Sequence, residues 1–186
     1  MDRPSRAALW LLCLGALALR LGLYAAAPSI AHPDEVFQYL EPAHRLVHGT
    51  GLIAWEYAAG LRSWLLTGML AGVLWLASLI GDSPLVNGWA VALFMAALSL
   101  VPVICGFLWG FAVGGIAPAL VAGALNGFWA GAVHFGSHPL ADTISGVFLV
   151  GGGCEPKLCD QAAALGDSFG WLRLAGASVL AAIPAQ

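Results

Sequence analysis

The fold class this sequence predicts is all-α: a multi-pass transmembrane helical protein of about five membrane helices plus one amphipathic extracytoplasmic loop. Three observations carry that prediction. The chain is 60% hydrophobic and only 9% charged, where soluble domains run at about 45–50% and about 25%. Mean hydropathy is +0.86. Apolar runs near the length of a membrane span recur along the chain, and the polar chemistry gathers between two of them. A net charge of −3, from 7 basic and 10 acidic residues, leaves no basic stripe to neutralise phosphates, so no nucleic-acid partner is expected. With the length spent on spans, no soluble catalytic domain fits.

Residues 1–6 are a short polar, cytoplasmic N-terminus. Residues 7–27 are apolar except for Arg20 and are long enough to span. A cleaved signal peptide is the competing reading, given the small residues Ala25, Ala26 and Ala27, but the run is long for one. Arg3 and Arg6 flank its start, which places the N-terminus inside. Arg20 is expected to snorkel toward the far interface, or to face protein or a ligand.

Residues 28–62 differ from everything else. They hold His32, Asp34, Glu35, Glu41, His44, Arg45, His48, Glu56 and Arg62. Pro33 suits the first turn of a helix, and Asp34 and Glu35 favour its positive end. Val36, Leu40, Ala43 and Val47 form an apolar stripe, Pro42 predicts a kink or break, and Gly49-Thr50-Gly51 ends the segment. The pattern is that of an amphipathic helix on the outer membrane surface. His44 and His48 have the i, i+4 spacing of metal ligands, but no third ligand is placed, so no metal is expected.

Residues 63–84 form a short helix that either spans the membrane or lies along it. Residues 85–186 supply the further spans. A helix over 85–111 has Pro102 as its expected kink. Gly114-Gly115 marks a tight turn, and Ile116 to about Ala132 returns. His134 to Asp142 is polar, and Thr143 to Gly153 begins another apolar run. Residues 154–170 read as a polar loop. The run from Leu172 to Gln186 stops in mid-element, as if cut inside a helix. Cys13 and Cys105 read as small core residues. Cys154 and Cys159 share the polar loop; they read as an incidental pair, with a disulfide open to them if that loop faces an oxidising compartment.

The chemistry-bearing stretch is His32-Pro33-Asp34-Glu35, then Gln38, Glu41, Trp55-Glu56-Tyr57 and Arg62-Ser63. In this order and spacing it resembles the Alg9 and GPI-type mannosyltransferases, family twenty-two of the GT-C glycosyltransferases. The resemblance is sharp over residues 28–66 and diffuse to about residue 150. Family chains are more than twice as long, so this chain corresponds to their N-terminal portion. The resemblance implies a GT-C-like fold and transfer of mannose, with inversion, from polyprenyl-phosphate-mannose to a glycan or glycolipid acceptor. It implies no nucleotide sugar and no cofactor. Asp34 maps to the family's catalytic base, with Glu35 beside it as a second catalytic candidate for which a structural role weighs equally. His32, Gln38, Glu56 and Arg62 are the substrate-binding candidates.

That chemistry is sensible on its own terms. An acceptor hydroxyl loses a proton as it attacks the anomeric carbon, which a positioned carboxylate can take. The leaving phosphate gains charge, which Arg20, His32 or Arg62 could stabilise. Glu56 either binds sugar hydroxyls or pairs with Arg62. His138 and Asp142 are second-loop candidates. They share the side of Asp34 only if residues 63–80 do not cross the membrane. The family's Arg-x-Leu-Ser-Asn element is replaced here. The alternatives are an inactive truncated relative or a non-enzymatic multi-pass subunit. A transporter would carry charges within its spans, and these spans hold almost none. Richness in Ala, Gly and Leu favours a bacterial inner membrane; in a eukaryote the same topology would place the loop in the endoplasmic reticulum lumen.

Overall fold

A computed structural model of the chain describes residues 3–81 and 83–153. The described residues are all helical, with no strand among them. The 154–170 loop, with Cys154 and Cys159, and the 172–186 run lie outside the described residues.

Helix α1, Arg3–Ala26, is one of two helices among the described residues that are long and apolar enough to cross a membrane. It buries Cys13, Ala16 and Arg20 on one face. Trp10, Leu11, Leu14, Leu19 and Leu23 point away from the protein. The second such helix is the run Pro84–Gly114. It consists of α5, Pro84–Leu98, and α6, Val101–Gly114. The interruption at Ser99-Leu100 has a local cause. Pro102 has no N–H to return to the carbonyl four residues back, and the Ser99 hydroxyl turns onto Ala96 O at 2.7 Å. The kink expected at Pro102 is where the sequence put it.

Gly115, at φ 77°, turns the chain into α7, Ile116–Phe128. Helices α6 and α7 then run antiparallel with their backbones in close approach. A Cβ on Gly110 would sit 2.5 Å from Pro118 O and 2.7 Å from Ala119 Cα. One on Gly106 would sit 2.7 Å from Asn126 Nδ2, and one on Gly114 2.8 Å from Pro118 Cγ. Glycines at i, i+4 and i+8 thus form the contact seam. Small residues at this spacing let helices pack where apolar burial alone gives little drive. The same economy joins α7 to α1, where Gly123 faces Leu12 and Gly127 faces Ala16. Cys13 and Cys105 are both buried free thiols, as their apolar settings predicted.

The expected return helix to Ala132 stops earlier. Trp129 leaves the helix at ψ 132°, and a short α8, Ala130–Phe135, follows. Helix α9, Ala141–Gly153, comes after a turn. Between α1 and α5 lie a π-helical segment, Glu35–Leu40, helix α2, Glu41–His48, and α3, Trp55–Ala58. Helix α4, Trp64–Ser78, completes this part. At about 1.5 Å per residue, its 15 residues span about 22 Å, short of the roughly 30 Å hydrocarbon core. It packs along the π-helical segment and α2 through Leu66, Leu70 and Leu74, which share a core with Tyr39, Ala43, Val91 and Met95. The end of α1 meets the start of α5, where the Tyr24 and Trp89 rings contact edge-on at 5.0 Å.

Gly110→Val is expected to destabilise the purified protein by about 1–3 kcal/mol, because the added side chain meets backbone that cannot yield. Gly72→Ala, whose Cβ meets nothing within 4 Å, should cost nothing. Thermal unfolding of both variants checks the contrast.

Candidate functional site

The site begins where the helix after α1 starts. Helix N-termini leave backbone N–H groups without partners. Here Glu35 reaches back, and its Oε1 accepts the N–H of His32 at 3.0 Å and of Ala31 at 2.9 Å. His32 Nδ1 accepts the Asp34 N–H at 3.3 Å. With Pro33 as the first helical residue, this is the reciprocal geometry of a capping box, with His in the place of Ser or Thr. Asp34 makes no side-chain cap bond. Its carboxylate is 40% exposed and lies 3.4 Å from His32 Nδ1. That ring nitrogen cannot accept from the Asp34 N–H and donate to the Asp34 carboxylate at once, so the two contacts belong to different protonation states.

Glu35 is nearly the opposite of its neighbour. It is 3% exposed, and His138, 6% exposed, meets its Oε2 through Nδ1 at 2.9 Å. A carboxylate oxygen only accepts, so Nδ1 of His138 carries the proton in this pair. The contact closes a loop of 103 residues. The segment between α8 and α9 therefore lies at the same end of the protein as residues 31–35.

The π-helical segment decides which side chains of this stretch turn inward. Of the apolar stripe, Ala43 lies in the core and Leu40 and Val47 pack against it, while the π-helical segment also buries Glu35 and Tyr39. Wider helical turns rotate the face, and single π turns recur at functional sites. The backbone N–H of Glu41 bonds Val36 O, five residues back. Pro42 causes no break. It lacks the N–H that would reach Gln38 O, and the Tyr57 hydroxyl bonds that carbonyl instead at 2.6 Å. The same hydroxyl contacts Thr67 Oγ1 at 2.6 Å. Tyr57 also packs its ring on Trp64 at 4.4 Å. The Trp55-Glu56-Tyr57 element is thereby fastened against the Asp34 helix, and Gln38 Nε2 donates to Glu56 Oε1 at 3.4 Å.

Of the two readings of Glu56, the pairing with Arg62 does not form. Arg62 Nη1 donates instead to the Tyr39 hydroxyl at 2.7 Å, and its guanidinium carbon stands 5.7 Å from the Tyr39 ring centre. Burial pushes the Tyr39 phenol above its ordinary range, although the Arg62 charge pulls the other way. The phenol therefore stays neutral, and among the described residues no carboxylate pairs with Arg62. Arg62 and Tyr39 line a cavity of about 470 Å³ with Ser63 and Ser145.

Arg20 does not snorkel. It is 0% exposed, and its Nη1 donates to Ala16 O and Gly127 O, each at 3.0 Å. The carbonyl of Gly127 belongs to the last turn of α7, the negative end of that helix. Arg20 Nε sits under Gly136, whose Cβ would lie 2.5 Å from it. Asp142 is in the first turn of α9. It lines a separate cavity of about 630 Å³ with Arg20, Asn126 and Thr143. His44 and His48 stack at 4.4 Å, and the His44 Nδ1–H donates to Thr50 O at 2.9 Å. Gly49, at φ 75°, ends α2 where expected.

The ordering of the 31–62 elements invites comparison with known proteins. A family model described as the Alg9-like mannosyltransferase family matches residues 9–155. The chain belongs to the Alg9-like mannosyltransferase family. Its relatives include a protein named GPI mannosyltransferase 3 from Yarrowia lipolytica, 39% identical over 80 residues, which is 42% of this chain and 16% of the relative. The protein of that name from Drosophila melanogaster is 39% identical over 57 residues, 31% of this chain and 10% of the relative. That from Trypanosoma brucei brucei is 37% identical over 82 residues, 44% and 14% respectively. The matches therefore span a sixth or less of those relatives' length. No solved structure matches the chain.

Within this family member, the structure brings His32, Asp34, Glu35 and His138 into one group, and Gln38 of the π-helical segment with Glu56 of α3 into another. Arg62 joins them through Tyr39, while Asp142 stands apart with Arg20. Sequence reasoning missed Tyr57 as a fastener and Tyr39 as the Arg62 partner; of the readings it left open for Arg20, the structure shows the one that faces protein. The first had a signal in the sequence: Pro42 leaves a carbonyl four residues earlier in need of a donor.

Tyr57→Phe is expected to cost about 1–3 kcal/mol of stability, because it strands the Gln38 carbonyl and the Thr67 hydroxyl. In a Pro42→Ala background, where residue 42 regains an N–H, the same change should cost less. A double-mutant cycle on unfolding free energies checks this.

Proposed function

We propose that this chain carries the catalytic base of a membrane mannosyltransferase. The enzyme moves mannose from a polyprenyl-phosphate donor to a glycan or glycolipid acceptor, and Asp34 is the general base. One observation carries the assignment. Of the two adjacent acids in the motif, Asp34 alone presents a solvent-reachable carboxylate, at 40% exposed, while both oxygens of Glu35 are occupied.

In the proposed step the acceptor oxygen attacks the anomeric carbon. The bond from that carbon to the phosphate oxygen breaks, and its electron pair leaves with the phosphate. The acceptor proton passes to the Asp34 carboxylate, and one attack from the face opposite the leaving group inverts the centre. Arg62 is placed to meet the phosphate, because among the described residues no carboxylate pairs with it and it lines a cavity. Gln38 and Glu56, already within hydrogen-bonding reach of one another, suit sugar hydroxyls. His32 stands over Asp34 and can accept or share its proton.

The membrane setting is inferred from two features. Two helices among the described residues have spanning length and apolarity, and the outward face of α1 carries Trp10, Leu11, Leu14, Leu19 and Leu23, a face suited to lipid rather than water. Helix α4 is read as lying along the surface with α2, because the end of α1 and the start of α5 meet. The 31–62 segment and His138 then share the extracytoplasmic side, facing a donor whose lipid tail stays in the bilayer.

The test is mannose transfer in membranes from radiolabelled polyprenyl-phosphate-mannose. Asp34→Asn is expected to lower the rate by about 100- to 10,000-fold, the range for a lost general base. Equal rates would remove Asp34 as the base. No transfer by correctly inserted wild-type protein would favour an inactive relative.

A further inference from the structure

The two acids of the motif divide their labour, and Glu35 has a task distinct from catalysis. Its Oε1 holds the N–H groups of Ala31 and His32, and its Oε2 takes the Nδ1 proton of His138. Three of the four lone-pair sites of this carboxylate are thereby taken within the protein, and although Glu35 and His138 also line a cavity of about 400 Å³, Glu35 is only 3% exposed. We propose that Glu35 and His138 form a buried clasp that positions Asp34, tying the turn that presents it to the segment between α8 and α9. This rests on the reading of Asp34 as the base.

The physical argument starts from the capping geometry. A capping Glu on an exposed helix needs one protein partner, since water serves the other oxygen. Here the carboxylate is 3% exposed, and a buried charged oxygen without a donor is costly. His138 is the donor, and it is itself only 6% exposed. Glu35 therefore keeps its cap bonds only while His138 is in place. Those bonds fix residues 31 and 32, and through His32 Nδ1 the Asp34 N–H. Asp34 is next to Glu35 in the chain, on the same first turn, so a shift in Glu35 moves it. A misplacement of about 1 Å in a reacting group can cost on the order of 100-fold. The clasp thus makes placement of the base conditional on arrival of a segment 103 residues away. In the first loop alone the base would stand on a frayed turn.

The variants separate a positioning role from loss of fold. His138→Ala removes the donor, and His138→Asn keeps an N–H near the Nδ1 position. Glu35→Gln keeps one acceptor oxygen and turns an amide against His138. Two readouts on the full chain apply. Hydrogen–deuterium exchange should rise about 10- to 100-fold at residues 31–34 in His138→Ala, the equilibrium equivalent of losing a hydrogen bond to a charged group. Protection across α6 and α7 should be unchanged, and His138→Asn should restore most protection at 31–34. In the transfer assay, His138→Ala and Glu35→Gln should each lower kcat by about 10- to 100-fold with KM nearly unchanged. The double variant should be little worse than either single one.

Wild-type exchange at 31–34 in His138→Ala would overturn the clasp whatever the activity. Raised exchange with an undiminished kcat would overturn its positioning role. If wild-type protein transfers no mannose, the mannosyltransferase reading fails, and exchange alone decides the clasp.

Discussion

A carboxylate withdrawn from water keeps its charge only if donors meet both of its oxygens, and Glu35 is such a group. Its first oxygen is served locally, by the N–H groups of Ala31 and His32 just ahead of the helix. The second is served by His138, far away in sequence. For that donor to arrive, the chain must leave on α5 and α6 and come back on α7. The glycine seam between α6 and α7 closes this hairpin at backbone distance. Arg20 then holds the Gly127 carbonyl at the end of α7, just before the chain breaks at Trp129 and α8 leads to the His138 turn. The buried cation in α1 and the buried acid after it serve the two ends of one return path.

Next to this constraint, the shape of the 33–48 helix becomes intelligible. Proline at 42 would disrupt a regular α-helix by removing a donor and crowding the preceding turn. The wider π-helical turns and the Tyr57 hydroxyl absorb both problems. They also rotate Glu35 and Tyr39 inward and leave Asp34 at the rim. Tyr39 in turn holds Arg62 without neutralising it. Membership of the Alg9-like mannosyltransferase family gives these positions a chemical context, in which a rim carboxylate and a guanidinium held by a neutral phenol stand in the same region.

Much of the local structure was legible in the residues. Pro33 opened a helix, Gly49 closed it, Pro102 interrupted a long helix and Gly115 turned it back, because each acts on its own backbone within a turn. Cys13 and Cys105 were readable as core from their apolar neighbours. What stayed open has one origin. Arg20 could reach an interface or face protein, since nothing nearby in sequence announces the Gly127 carbonyl that holds it. Glu56 could bind sugar hydroxyls or pair with Arg62, and Tyr39 takes Arg62 instead. The π-helical turns that bury Glu35 and Tyr39 leave no mark in a 3.6-residue period.

The sequence by itself determined a helical, apolar chain, those helix ends and interruptions that proline or glycine marks, and the family motif, since composition, periodicity and proline or glycine chemistry are local properties. It also singled out Asp34 and Glu35 as the polar centre of an otherwise apolar protein. Only the tertiary structure decided how these neighbours differ. One stays at the rim with a reachable carboxylate, and the other is buried against His138. The reason is that burial and donor geometry depend on which distant segments share a space, and sequence spacing does not encode that return path.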